Sequence, residues 1–191
     1  MKIKAIAKLC AKNEVIRIYN RRPVGGGAIE QWVSNGGACF PLASLPYMEE
    51  DVLFQIFDVP EKNQKKYFCE TKDAEELGID FADVVQNEKQ VEEFKTRLIF
   101  GGRELILLQT DKEIVFIDAA NLAPVADEID GLEYFVRETM NGSAYIVLKA
   151  GFMLRAVIMP VVPFTNDFVE ELLSMARQAH EANLRKKNSP Q

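Results

Sequence analysis

Two apolar runs separated by a Lys149-Ala150-Gly151 break, spanning Ser143 to Pro163, limit what this chain can fold into more than any other stretch. The first run is Ala144 to Leu148 and the second closes on Met159-Pro160-Val161. Both are short and rich in Ile and Val, so they predict strands, and the break between them predicts a hairpin or a bulge. Pro160 and Pro163 have no N–H to give to a ladder, so the second strand is expected to stop there, at a sheet edge. The hairpin holds one Lys and one Arg and no carboxylate or His. It is a scaffold signal.

The rest of the chain extends the pattern. Ile3, Ala5, Ala7 and Leu9 alternate with lysines, which predicts a half-buried strand paired with a second one over Val15 to Tyr19. Asn35-Gly36 predicts a tight hairpin turn between Trp32-Val33 and Ala38-Cys39-Phe40. In Met48 to Val59 the acids suit the first turn of a short helix, and Leu53-Phe54 and Ile56-Phe57 either end that helix or form a strand. Asp73 to Phe94 reads as a broken, acidic helix. Arg97–Phe100, Glu104–Gln109 and Ile114–Ile117 read as a meander turned by Gly101-Gly102 and Asp111-Lys112. After Pro163, Phe168, Leu172, Met175, Ala176 and Ala179 fall on one helical face, with acids at the start and Arg185, Lys186 and Lys187 at the end. Asn188–Gln191 is expected to fray. The expected fold class is α+β, with antiparallel sheets, short helices and a C-terminal amphipathic helix. The expected organisation is an N-terminal half (1–72), a helical connector (73–95), a C-terminal half (96–163), and a helix with tail (164–191). A gapped repeat, Cys39 to Phe57 against Val115 to Val136, suggests that the two halves are related.

Charge and special residues narrow the chemistry. Formal net charge is -6 over 191 residues, which works against tight non-specific nucleic-acid binding by the body as a whole but leaves room for a local basic face. Three scattered cysteines and one histidine form no disulfide framework and no zinc signature. No apolar run reaches the length of a membrane span, and a cytoplasmic protein without membrane contact is expected. The glycines of Pro23 to Gly27 lack a following Lys-Ser/Thr and read as a hairpin loop. No carboxylate pair, thiol or hydroxyl stands beside a base, so no catalytic residue, metal or cofactor is assigned.

The hairpin at Ala144–Leu148 and Ala156–Val161, with its Met159-Pro160-Val161 ending, resembles the closing strands of the DNA sliding-clamp (processivity factor) family, in a divergent phage or mobile-element form. The repeat is in keeping with a clamp built of like halves. The resemblance implies a non-catalytic, DNA-tethering scaffold in nucleic-acid metabolism. It places Met159, Pro160 and Val161 beside a groove for partner peptides. Three departures stand against it: a short chain, an acidic middle segment and an added C-terminal helix. On this reading Lys62, Lys65, Lys66 and Arg97, with Lys2, Lys4 and Lys8, are the residues expected to meet phosphates of duplex DNA. Protein partners are expected, with self-association through the last helix. The alternative is a protein-interaction module without DNA contact, and the second alternative an enzyme of unidentified class.

Overall fold

The computed structural model describes residues 2–187 except Val24, Gly25, Ser44 and Asn87. The expectations for the Pro23–Gly27 loop in part, and for the 188–191 tail entirely, lie outside the described residues. The chain divides into two compact units, Met1–Val161 and Val162–Gln191.

The first unit is a mixed α+β fold around one large sheet. Its strands are β1 (Val15–Arg21), β2 (Glu30–Ser34), β3 (Ala38–Pro41), β4 (Phe68–Asp73), β5 (Lys89–Phe100), β6 (Arg103–Gln109), β7 (Ile114–Asp118), β8 (Leu132–Glu138), β9 (Ala144–Ala150) and β10 (Met153–Ile158). Among the described residues they run in the order β4-β1-β2-β3-β10-β9-β8-β5-β6-β7. Every pairing is antiparallel except β1 with β4. Helices α1 (Ile3–Asn13), α2 (Glu50–Ile56) and α3 (Glu61–Gln64) and two 3-10 segments, Ala74–Leu77 and Ala119–Gly131, complete the unit. Strands from the early and late sequence thus share one sheet, joined where β3 pairs with β10.

Period-2 alternation assigns the sheet residues to two apolar layers. Ile16, Ile18, Val33, Phe40, Ile146, Leu148, Ala156 and Ile158 pack with Ile6, Leu9 and Cys10 of α1 and with Leu53 and Phe54 of α2. The other layer holds Tyr19, Trp32, Cys39, Tyr145, Val147 and Val157 with Ala74, Ile79 and Phe81. Trp32 and Phe81 meet with ring centroids 4.6 Å apart. A β9 buried on both faces is why its sequence is an unbroken apolar run rather than an alternating one.

Several expectations change. Ile3 to Leu9 is helix α1, not a strand: Ile6, Leu9 and Cys10 are buried, a spacing that only the helical period brings to one side. The chain turns out of it at Glu14, whose φ of 54° is left-handed, and enters β1 directly. Residues 73–94 are not a helix. Among the described residues, Ala74–Leu77 is a 3-10 turn, Ile79 and Phe81 pack into the second layer, and Lys89 begins β5. β10 does not lie at an edge but between β3 and β9, and its ladder ends at Ile158, before Pro160. The two copies of the gapped repeat also finish differently, Leu53–Ile56 in helix α2 and Leu132–Val136 in strand β8. The Asn35-Gly36 turn, the β5-β6-β7 meander and the β9-β10 hairpin agree with the sequence reading.

The second unit contains α4 (Asn166–Lys187). Thr165 begins it: its Oγ1 accepts from the Phe168 N–H at 3.3 Å and its carbonyl from the Val169 N–H at 3.1 Å. The Phe164 and Phe168 rings stack at 5.6 Å across this first turn.

Candidate functional site

Among the described residues of the first unit, two gatherings of charge differ in what the charges are free to do. The first is a cleft of about 750 Å³ at one end of the sheet, between the β6-β7 turn, the β8-β9 turn and the 78–88 segment. At its base Arg137 projects from β8 and is almost fully buried. Its Nε and Nη2 donate to Glu88 at 2.9 and 2.5 Å. Its Nη1 donates to the carbonyls of Asp80 and Ala82, at 2.9 and 2.8 Å, and Nη2 to that of Asp83 at 3.4 Å. Lys149 of β9, equally buried, donates to the other oxygen of Glu88 and lies 4.8 Å from the Phe135 ring centre. The 78–88 segment is further tied down by Asp80 N–H to the Tyr145 hydroxyl (3.0 Å) and by Leu154 N–H to Asp83 Oδ1 (2.8 Å).

This arrangement fixes a loop. A guanidinium with its fork filled by a carboxylate and three carbonyls has no donor directed at a ligand. Burial alone raises the Glu88 pKa, but the hydrogen bonds from Lys149 and Arg137 outweigh it and hold the carboxyl below its ordinary value. Glu88 is therefore ionised at neutral pH and acts as an acceptor, not as a general acid. Around the rim, Lys89 pairs with Asp111 and Lys112 with Glu138.

The thiols are equally committed to packing. Burial pushes Cys10 up to about 12 and Cys39 to about 11. Cys69 rises to about 12, by burial first and then by the Glu50 and Asp51 carboxylates. At neutral pH these are protonated thiols, poor as nucleophiles. Among the described residues no group of three or more His, Cys, Asp or Glu is placed to hold a metal ion, and no helix is long and apolar enough to cross a membrane.

The second place is the outer face of α1. Because this segment is helical, Lys4, Lys8 and Lys12 recur every four residues and share one exposed face, opposite Ile6, Leu9 and Cys10. With a rise of about 1.5 Å per residue, neighbouring lysines sit about 6 Å apart along the axis. Among the described residues, none of the three lysines has an ion pair of its own. Lys2, just before the helix, pairs with Asp127 at 2.6 Å. Lys62, Lys65 and Lys66 are exposed on α3 and the turn after it. That turn leads to Phe68, whose N–H donates to the Glu14 carbonyl at 2.8 Å, so the turn reaches the sheet at the C-terminal end of α1.

Arg97 differs from Lys4, Lys8 and Lys12 in being paired. It is on β5, held between Glu93 at 3.1 Å and Glu104 at 2.9 Å. Met159, Pro160 and Val161 continue from β10 as half-buried backbone: Met159 N–H donates to the Gly37 carbonyl and Val161 N–H to the Phe116 carbonyl, at 2.9 and 2.8 Å. The bridge at Phe116 and Val161 brings the end of this segment beside β7. Sequence reasoning reaches Lys12 as one of the basic residues near the start but, reading a strand there, misses the single face it shares with Lys4 and Lys8, and it misses the Glu88 cluster altogether. The four-residue spacing of the lysines was the available signal for the former.

No protein-family model, curated protein or solved structure matches this chain.

Proposed function

We propose that the protein is a non-catalytic scaffold that tethers to nucleic acid through the lysine face of α1. The observation that carries this reading is the Lys4–Lys8–Lys12 row, three exposed cations in line on a chain of net charge -6. A regular line of cations suits a regularly charged polymer, and contacts of this kind bind duplexes without regard to sequence. Lys65 and Lys66 extend the basic surface at the helix end. The likeness of the β9-β10 ending to sliding clamps supports the same reading.

The test is anisotropy of labelled duplexes of unrelated sequence at rising salt. All should bind with similar affinity, and log K should fall linearly with log salt. The triple variant Lys4→Glu, Lys8→Glu, Lys12→Glu should bind roughly a hundredfold more weakly at low salt, with a slope shallower by about 3. These are exposed positions, so the fold should be retained. Absence of binding at low salt, or a triple variant that binds like the parent, would overturn the reading and leave a protein-interaction module.

The amphipathic helix α4 supplies the means of self-association in the same proposal. An apolar stripe on a 22-residue helix gains most by burial against another such stripe. Light scattering should give a larger assembly for the full chain and a monomer after removal of residues 166–191. A monomeric full chain would exclude this role.

A further inference from the structure

We propose that a shallow concavity beside α1 binds a phosphate group, held by Lys12 and Arg103. This rests on the nucleic-acid reading for the source of the phosphate, but the site itself is a separate one. The concavity, of about 400 Å³, lies where the C-terminal turn of α1, the β5-β6 tip and the first turn of the 119–131 segment meet. Its charged lining is Lys12, Arg97, Arg103, Glu104 and Asp118.

Three of these five are already committed. Arg97 and Glu104 pair with each other at 2.9 Å. Asp118 Oδ1 accepts the Ala120 N–H at 2.9 Å and so closes the start of the 3-10 segment. Lys12 and Arg103 are left, both exposed, and among the described residues neither has an ion pair or side-chain hydrogen bond. The lining carries three cations against two carboxylates on an acidic chain. An Arg fork with a Lys point charge is the combination that suits a tetrahedral oxyanion.

The tip favours close approach. Gly101 and Gly102 both take left-handed φ, 58° and 75°, and the space where a Cβ would stand is open at each. A ligand can thus come near the backbone there without meeting a side chain. Apolar lining from Ala119, Ala123 and Leu122 gives the other wall no competing charge. The row Lys4, Lys8 and Lys12 runs along α1 towards this site, so a polyanion following the helix would reach the site with its next phosphate.

The experiment has two arms, run on the full chain. The first titrates inorganic phosphate and follows the Arg103 Nε–H and Gly102 amide resonances, with chloride at equal ionic strength as control. The second measures duplex binding by the parent, by Arg103→Gln and by the Lys4→Glu/Lys8→Glu double variant. Urea midpoints check that each variant is folded. Saturable phosphate shifts that chloride does not reproduce are expected. Arg103→Gln should abolish the Gly102 shift, weaken duplex binding about tenfold and lower the salt slope by about 1.

If the double variant loses duplex binding while Arg103→Gln binds like the parent, and phosphate moves neither resonance, the phosphate site is wrong and the tethering reading survives. If no duplex binds the parent but phosphate shifts both resonances and Arg103→Gln removes the Gly102 shift, the site is one for free phosphate and the tethering reading falls. If neither ligand is bound, both are wrong.

Discussion

Replacing Glu88 with Ala is expected to destabilise the protein by about 3–5 kcal/mol, because it strips two buried cations of the one carboxylate they share. The side chains of Arg137 and Lys149 are 2% and 4% exposed, so water cannot take over that role without opening the sheet. In urea the midpoint should fall by roughly 2 M. Glu88→Gln keeps the shape and an acceptor but not the charge, and should lose somewhat less. The pH dependence separates charge from packing. Glu88 is held below its ordinary value of 4.5 in the folded state, so the folded protein keeps the carboxylate that the unfolded chain would protonate first. Its contribution is complete above that ordinary value and is lost as pH falls through the depressed folded value. The stability gap between parent and Glu88→Gln should therefore be constant at neutral pH and close in acid. Unchanged midpoints for both variants would mean that the 78–88 segment is held by its apolar contacts alone.

Asn35→Ala is expected to cost about 3 kcal/mol, an unusual amount for a residue in a tight turn. Asn35 is 2% exposed. Its Oδ1 accepts the N–H groups of Gly37 and Ala38, at 2.9 and 2.8 Å, and its Nδ2 donates to Asn121 Oδ1 at 3.0 Å. Its backbone carbonyl accepts from Asn13 Nδ2 at 2.9 Å. One side chain thus joins the β2-β3 turn to the 119–131 segment, and truncation strands buried polar groups on both. Asn13→Ala removes only the outer, partly solvated bond and should cost about 1 kcal/mol. A double-mutant cycle on Asn35 and Asn121, read by urea unfolding, should return a coupling of about 1 kcal/mol or more. Additive losses would show that the two side chains contribute separately.

Asn35 also marks how far the sequence could be read. An Asn-Gly pair between apolar runs signals its turn through local chemistry, and so do the Gly101-Gly102 and Asp111-Lys112 turns of the meander. The apolar run of β9 identified a strand of a hairpin, but Pro160 misled as to the place of its neighbour, because it lies just beyond the ladder rather than in it. The N-terminal segment satisfied two periods at once. Ile3, Ala5, Ala7 and Leu9 alternate, while Ile3, Ile6, Ala7 and Cys10 recur at helical spacing. Ala serves either pattern, and only the helical one buries Ile6, Leu9 and Cys10 together. The Glu88 cluster was beyond reach for a different reason. Its partners stand 49 and 61 residues along the chain, and nothing local to Glu88, Arg137 or Lys149 distinguishes them from the many surface charges around them. The lysine face sits between these cases, since it becomes visible once the helix is recognised.

The pairing of β3 with β10 bears on how this protein is made. β1, β2 and β3 leave the ribosome well before β10, the strand that completes the β3 side of their sheet and one of the last elements of the first unit. Throughout synthesis of the intervening chain, β3 presents a bare edge whose inward residues, Ala38 and Phe40, are destined for the core. Non-local pairings of this kind fold slowly and leave sticky intermediates. The other flank is better guarded: β4 carries Glu70, Lys72 and Asp73, charges that discourage a stray strand from joining there. Truncated nascent chains that end before β10 should therefore depend on holding factors to stay in solution, whereas release of the finished first unit should end that dependence in a single cooperative step.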